Sequence, residues 1–529
     1  MPTLNKISFG AAAAAVAAAV LVSSSAAFPL YSVHGDSSWM ARADNTSLES
    51  CLSSSGGFEQ AYASSGDYTA LTSSYNPLFS YKPLVVAVPN TESEVASIVK
   101  CVAAHEGRQK LSPKSGGHSY EAYSLGGQDG SVVIDLSRLD GIQVDQANKT
   151  AAVGAGVRLG TLAQGIWEQG KFALPHGTCP LVGVSGHALG GGFGYTTRAW
   201  GFLLDRIQSM RVVTSKADVI TVSAEENTDL WWGLRGGGAN NFGVVTQFTF
   251  ALQDAPTQTL NYNYAYATNE DCAKAIVAIQ DMSNDPDTST GLQAELGGEL
   301  LVAGSAAGDF DGNACQLAGQ HINTAREAHD ALMARLHTRA GVQPATTSVK
   351  PFDSWIDALT DLMGNLSATG PQHEQFYAKS LVQPTTARYS YTSALALVSE
   401  LNSYAGLRGT GNSISFDFLG ALAYSAKMES ASFNAHGATL INQFYSYGFP
   451  SNDDPDAQQD VWKAFDSLVQ TAKASAPDAD WGAYVNYVDA RLDDWAHAYY
   501  GAALDRLKQL KSTWDPQSVF DFPQGLAHA

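Results

Sequence analysis

The sequence predicts an α+β protein of at least two domains, and three observations carry that reading. Residues 84–250 alternate short apolar runs with helical patterns, the texture changes at Asp254-Ala255-Pro256, and it changes again at Tyr484, where helical spacing takes over. The length of 529 residues exceeds what one compact core holds, and a 45% hydrophobic, 10% aromatic composition is enough to fill large cores.

The N-terminus predicts an address. Lys6 precedes an Ala/Val/Leu-rich run from Ala11 to Val22, and Ser25 and Ala27 supply small residues before a cleavage point, so residues 1–27 read as a secretory signal peptide. The run is shorter than the roughly 20 residues a membrane span needs, and no later segment is apolar for long enough. The expectation is a secreted protein with no membrane partner, in which the sequons at Asn45, Asn148 and Asn365 become usable. A net charge of -20 lacks the footprint of a nucleic-acid binder and is repelled by anionic membranes.

Within 84–250, Leu84–Val88 reads as a buried strand. A helix follows from Glu92 to His105, with Val95, Ile98, Val99 and Val102 on one face. Val132–Leu136 and Ala151–Val153 are further strands, Met210–Thr214 and Val219–Val222 a hairpin, and Val244–Phe250 a strand alternating in and out. Between 257 and 480, strand candidates such as Ser413–Leu419 mix with helices such as Ala325–Leu336, which predicts a second domain built on a sheet. From Tyr484 the apolar positions Leu492, Trp495, Tyr499, Leu504, Leu507 and Leu510 read as helical up to Asp515-Pro516.

Several catalytic signatures fail on one residue. Gly165–Lys171 has P-loop spacing, but Phe172 stands where a Mg²⁺-binding Ser/Thr belongs. Gly183-Val-Ser185-Gly186-His187 misses the last glycine of a nucleophile elbow, and Gly154-Ala-Gly156 misses the third glycine of the dinucleotide fingerprint. No HExxH or paired CxxC exists, so no metal site is expected.

What remains are three glycine-rich segments: Pro113–Tyr120, Gly177–Gly194 and Arg235–Gly243. Consecutive glycines let backbone N–H groups converge on an anion such as a pyrophosphate, and the third segment offers a flat surface to a ring. Five cysteines, at 51, 101, 179, 272 and 315, allow at most two bridges and leave one thiol over. Cys179 stands apart in its Gly/Pro-rich setting, either buried and inert or held for other chemistry.

Gly116-Gly-His118-Ser, Gly177-Thr-Cys179-Pro, Ser185–Gly194, Asp229–Gly238 and the closing Tyr484-Val-Asn-Tyr487…Pro523-Gln524 resemble the secreted berberine-bridge-enzyme-like oxidases. These have a PCMH-type FAD domain, and within the family the oligosaccharide oxidases are the most similar. The resemblance spans the mature chain. It implies a discontinuous flavin domain, 28–255 with the returning segment 483–529, and a substrate domain at 256–482 whose sheet roofs the flavin. It also implies FAD tethered by His118 to the 8α carbon and by Cys179 to C6. The flavin would lie among Ser115, Gly116, Gly117, Ser119, Val182, Ser185, Gly186, Gly190, Gly191, Gly192, Gly243 and Val245. Cys51–Cys101 becomes the expected disulfide, with Cys272 and Cys315 candidates for a second.

The resemblance assigns Tyr487 as the base that takes the substrate's hydroxyl proton. A free phenol has a pKa of about 10, so it needs a relay, and Asp417 is expected to accept the tyrosine proton in turn. Strand alternation puts Asp417 on one face with Ser415 and Leu419, and Phe416 and Phe418 on the other. Gln443, Tyr120, Glu295 and Tyr484 are the candidate substrate-binding residues, and Ser415 stands where a longer amide side chain is expected. Val182 matches the valine of the family's oxidases, against leucine in its dehydrogenase-like members, which implies O₂ as acceptor. The implied reaction is oxidation of the reducing-end C1 hydroxyl of an oligosaccharide to the lactone. The competing expectations are a tailoring oxidase of a small secondary metabolite and a secreted carbohydrate-binding protein without turnover.

Overall fold

The computed structural model describes residues 41–105, 109–238, 240–304, 310, 312–370, 372–420 and 431–529, so the expected signal peptide lies outside the described residues. The predicted elements appear close to their expected bounds. The helix Glu92–Ala103 starts where the Thr91 side chain accepts a hydrogen bond from the Glu94 amide, and it buries Val95, Ile98, Val99 and Val102. Val85–Val88 is a fully buried strand, and Ile207–Thr214 pairs with Val219–Ser223 as the hairpin.

Among the described residues, three sheets of four or more strands organise the molecule, beside a two-stranded pair of Phe172–Ala173 with Gln253–Asp254. A four-stranded sheet runs in the order Glu59–Ala61, Val85–Val88, Val132–Asp135, Leu111–Lys114, with its last three strands parallel. An antiparallel five-stranded sheet runs Ile142–Asp145, Thr150–Gly154, Gly243–Ala251, Ile207–Thr214, Val219–Ser223. These two sheets share one apolar core with residues of the C-terminal segment, among them Tyr484, Leu507 and Phe520. The third sheet is antiparallel with seven strands, in the order Thr346–Phe352, Thr259–Tyr266, Cys315–Ile322, Leu296–Ala303, Gly411–Phe418, Ala438–Tyr447, Phe376–Pro384. The helices Asn269–Ser283, Arg326–Ala340, Tyr391–Ser403 and Pro455–Lys473 contribute to its core. Mixed helices and antiparallel sheets make the fold α+β, as the sequence predicts.

The C-terminal segment stitches the two halves together. Gly482 bridges to Val382 on the edge of the seven-stranded sheet, and Phe520 bridges to Leu111 on the free edge of the four-stranded one. Between them Lys379 reaches Asp489 at 2.9 Å, and the buried Lys511 pairs with Asp515 at 2.6 Å. The expectation of helix from Tyr484 onward is corrected: regular helix starts only at Trp495, and 483–494 is irregular. That stretch buries Tyr484 and Val488 against other segments, so their apolar spacing reflects packing on both sides of a bent chain. Both disulfides are formed, Cys51–Cys101 and Cys272–Cys315, and Cys179 is free.

Candidate active site

Two glycine loops meet backbone to backbone. A Cβ on Gly116 would lie 2.2 Å from the Gly183 nitrogen, so only glycine permits the approach. The Ser115 and Ser185 hydroxyls both donate to the Ala155 carbonyl, at 2.6 and 2.7 Å, and tie the loops to one point. Among the described residues, the amides of Gly116, Gly117, His118, Ser119, Ser185 and Gly186 find no protein acceptor. A Cβ on Gly186 would meet open space. Ser185 is buried, residues 116–119 are half-buried and Gly186 is exposed, so these six free amides on adjoining loops can converge on an external acceptor.

His118 stands at the end of this nest. Tyr75 stacks on its ring at 4.3 Å between centroids, and the Tyr75 hydroxyl donates to Glu374 at 2.9 Å. Burial pushes His118 down to about 4, which keeps the imidazole neutral, and its Nε2 makes no hydrogen bond within the geometric range among the described residues. Cys179 presents an accessible sulfur in a crowded cleft; desolvation first, then Glu374 and Glu299, push its thiol up to about 11.

Facing the loops is the strand Gly411–Phe418, and its alternation is as expected. Phe416 and Phe418 enter the core of the seven-stranded sheet, and Leu419 joins the core of the other half. Ser415 and Asp417 take the same side, with Ser415 Oγ 2.9 Å from Asp417 Oδ2. On the neighbouring strand Gln443 donates to the Tyr120 hydroxyl at 3.0 Å, and Tyr120 stacks on Tyr487, which Phe193 and Tyr484 flank edge-on. Tyr487 comes from the returning segment, so three distant stretches converge here. Burial and then Tyr120, Asp417, Tyr484 and Glu299 raise its phenol well above the usual range.

Several of the expected site residues stand apart from this convergence. Glu295 is exposed just outside the strand Leu296–Ala303, while Glu299, further along the same strand, faces Asp417 as its cross-strand partner. Tyr484 is 2% exposed; its hydroxyl accepts from the Gly192 amide and the Asn486 side chain, so it braces the protein and is not open to substrate. Gly190, Gly191 and Gly192 have their amides bonded to Gly186, Ala188 and Tyr484, and a Cβ at each would strike Asn486, Phe433 or Leu203. These glycines accommodate the protein's own packing. The third glycine segment does likewise, since Gly236 presses on the Phe433 backbone. Val245 lies in the core, Gly243 against the Val213 carbonyl, and Val182 at the edge of the same core.

Four residues at this place escape a reading of the sequence: Tyr75, Tyr195, Glu299 and Glu374. Only Glu299 carries a signal, because it shares strand parity with the candidate Glu295.

Residues 83–223 match the family model described as FAD binding domain, and residues 483–527 match berberine and berberine like. Over 470 residues the chain is 31% identical to the chitooligosaccharide oxidase of Gibberella zeae, covering 85% of this chain and 89% of that one. The chain belongs to the berberine-like FAD-linked oxidases. This berberine-like oxidase is also 32% identical to the xylooligosaccharide oxidase of Thermothelomyces thermophilus, over 86% of this chain and 90% of that one. Among solved structures, the Acremonium strictum glucooligosaccharide oxidase superposes with a TM-score of 0.83 at 28% identity, covering 91% and 99% of the two chains. That structure addresses a 6-S-cysteinyl, 8α-N1-histidyl FAD. As a member of the family, the protein is an FAD-dependent oxidoreductase acting on a CH–OH group with oxygen as acceptor. Its residues fit the cofactor: unpaired amides suit a diphosphate, and a neutral imidazole and an accessible thiol flank the same cleft.

Proposed function

We propose that this berberine-like oxidase is secreted and oxidises the reducing-end C1 hydroxyl of oligosaccharides to the lactone, reducing O₂ to H₂O₂. The observation that carries the reading is the convergence of Tyr120, Gln443 and Tyr487 from three stretches of chain beside the His118 and Cys179 loops. The similarity to oxidases named for chito-, xylo- and glucooligosaccharides supports the substrate class. The two disulfides and the sequence of residues 1–27 support secretion. The flavin unit comprises 28–255 and 483–529, and 256–482 is the substrate unit.

His118 and Cys179 would hold the FAD covalently, and the free amides of residues 116–119 and 185–186 would receive its diphosphate. When bound, FAD would supply the two-electron redox chemistry that joins C–H oxidation to O₂ reduction. Tyr487 takes the hydroxyl proton as C1 gives up its hydride, and Asp417 accepts the phenol proton. Gln443 fixes the Tyr120 hydroxyl, and together they orient the sugar. The test is peroxide release over cello-, xylo-, chito- and malto-oligosaccharides beside small alcohols. Turnover of one oligosaccharide series is expected; turnover of the small alcohols alone overturns the sugar reading and favours a secondary-metabolite substrate.

A further inference from the structure

In the proposed reaction the phenol proton stops at Asp417, beside a second acid. Glu299 and Asp417 are direct partners across the strands Leu296–Ala303 and Gly411–Phe418. Such partners carry Cβ atoms about 4.5–5.5 Å apart on one face. Ser415, two residues along on that face, has its hydroxyl 2.9 Å from Asp417 Oδ2 and within hydrogen-bonding reach of Glu299. On the far side of Glu299 the Tyr195 hydroxyl donates to Oε1 at 2.8 Å.

Neither carboxyl is shifted by a basic side chain, and the buried Arg198 guanidinium on this side of the sheet donates to the Leu292 and Leu419 carbonyls. Burial raises both, and Glu299 raises Asp417 further, so one proton is held between them. The Ser415 hydroxyl lies between the two carboxyls, while Tyr195 donates to Glu299 alone, which favours the negative charge on Glu299 and the proton on Asp417. The other titratable groups facing the pair are Tyr195, Tyr262, Tyr484, Tyr487 and Cys179, all shifted upward and so neutral through the physiological range.

We propose that Glu299 is the terminal proton acceptor of the reaction, joined to Asp417 through the Ser415 hydroxyl. This rests on Tyr487 as the base. As Tyr487 takes the substrate's proton, its own passes to the free oxygen of the Asp417 carboxyl. The Asp417 proton moves to Ser415 Oγ, and the Ser415 proton moves to the Glu299 carboxylate. Tyr487, Asp417 and Ser415 each lose one proton and gain one, Glu299 gains one, and no electrons travel along the chain. Ser415, the short residue where a longer amide is expected, then has a chemical part: its hydroxyl both accepts and donates. Glu299 is a positioning residue in this scheme, because it acts through Asp417.

The experiment is the pH dependence of anaerobic flavin reduction in the holoenzyme. A pair that shares a proton keeps its anion to lower pH than a lone buried carboxyl. Glu299→Gln should therefore move the acid limb up by about one pH unit or more and cut the limiting rate roughly tenfold or more. Ser415→Ala should lose rate to a similar extent, Ser415→Thr should recover to within a few-fold of wild type, and flavin content and Tm should hold in all three. A Glu299→Gln profile that overlays wild type, or a Ser415→Ala variant that reduces at the wild-type rate, overturns the proposal. Should Glu299→Gln fail to take up flavin, the Ser415→Ala and Ser415→Thr pair decides alone. Full-speed reduction in Tyr487→Phe overturns the base assignment instead, which separates the two failures.

Discussion

Tyr120 and Tyr487 lie face to face, their ring centroids 5.5 Å apart and their planes 8° from parallel. Tyr120 follows His118 by two residues, and Tyr487 arrives on the C-terminal segment, so the stack couples the loop carrying the proposed flavin tether to the proposed base. The Tyr120 hydroxyl is held by Gln443, whereas that of Tyr487 has no hydrogen-bond partner among the described residues. A free phenol in a lined cleft is poised for a substrate hydroxyl.

Tyr487→Phe tests that arrangement. The ring and its stack survive, so Tm and flavin attachment should change little, while anaerobic flavin reduction slows by about two orders of magnitude or more. Asp417→Asn should give a loss of the same kind, and the double variant should be far from additive. A few-fold effect in rapid-mixing kinetics would send the search for the base elsewhere.

Double attachment predicts how colour partitions on denaturation. Acid-precipitated wild-type protein should stay yellow, as should His118→Ala and Cys179→Ala. The double variant should release its flavin to the supernatant. Mass spectrometry of the flavin peptides checks which residue carries the bond in each single variant.

Val182 is fixed from both sides, its amide donating to the Cys179 carbonyl at 3.3 Å and its carbonyl accepting from Leu159 at 2.9 Å. An added methylene in Val182→Leu cannot be relieved by backbone shift, so it should fill the space beside Cys179. Stopped-flow reoxidation by O₂ is expected to slow while reduction by substrate stays near wild type. Unchanged reoxidation removes the gate from this position.

A pH effect on stability follows from a buried histidine cluster of the seven-stranded sheet. His321 and His329 are wholly buried with their Nδ1 atoms 3.1 Å apart, and Tyr264 bonds to His329 Nε2 at 3.0 Å. Burial lowers them to about 3 and about 4. The folded state therefore binds fewer protons than the unfolded one, whose histidines titrate near 6.5. Their contribution is fully present above about pH 6.5 and is lost as pH falls toward 4 and below. The Tm of wild type should drop over that window, and His329→Gln should drop less; parallel curves would contradict the assignment.

The sequence was most legible where periodicity speaks. Ser415 and Asp417 could be placed on one face because a strand has period two, and the helix at 92 was marked by Thr91 and its apolar stripe. It was least legible where parity is shared. Glu295 and Glu299 have the same parity, and only the start of the strand at Leu296 separates an exposed acid from one paired with Asp417. Tyr484 and Tyr487 look equivalent in a helical reading, yet a turn from the Tyr487 amide to the Tyr484 carbonyl sends one ring into the core and the other to the cleft. Tyr75 had no local signal at all, since its stack on His118 joins an irregular stretch to a residue 43 positions away.

Oxidation at C1 is the central claim, and it is tested most directly by offering one reducing oligosaccharide beside the same chain reduced to its alditol. The two differ only at the end that is held to react. The reducing form should release one peroxide per sugar and give a product that gains one oxygen after the lactone hydrolyses, and the alditol should release none. Equal peroxide release from both, or a product oxidised at any carbon other than C1, would contradict it.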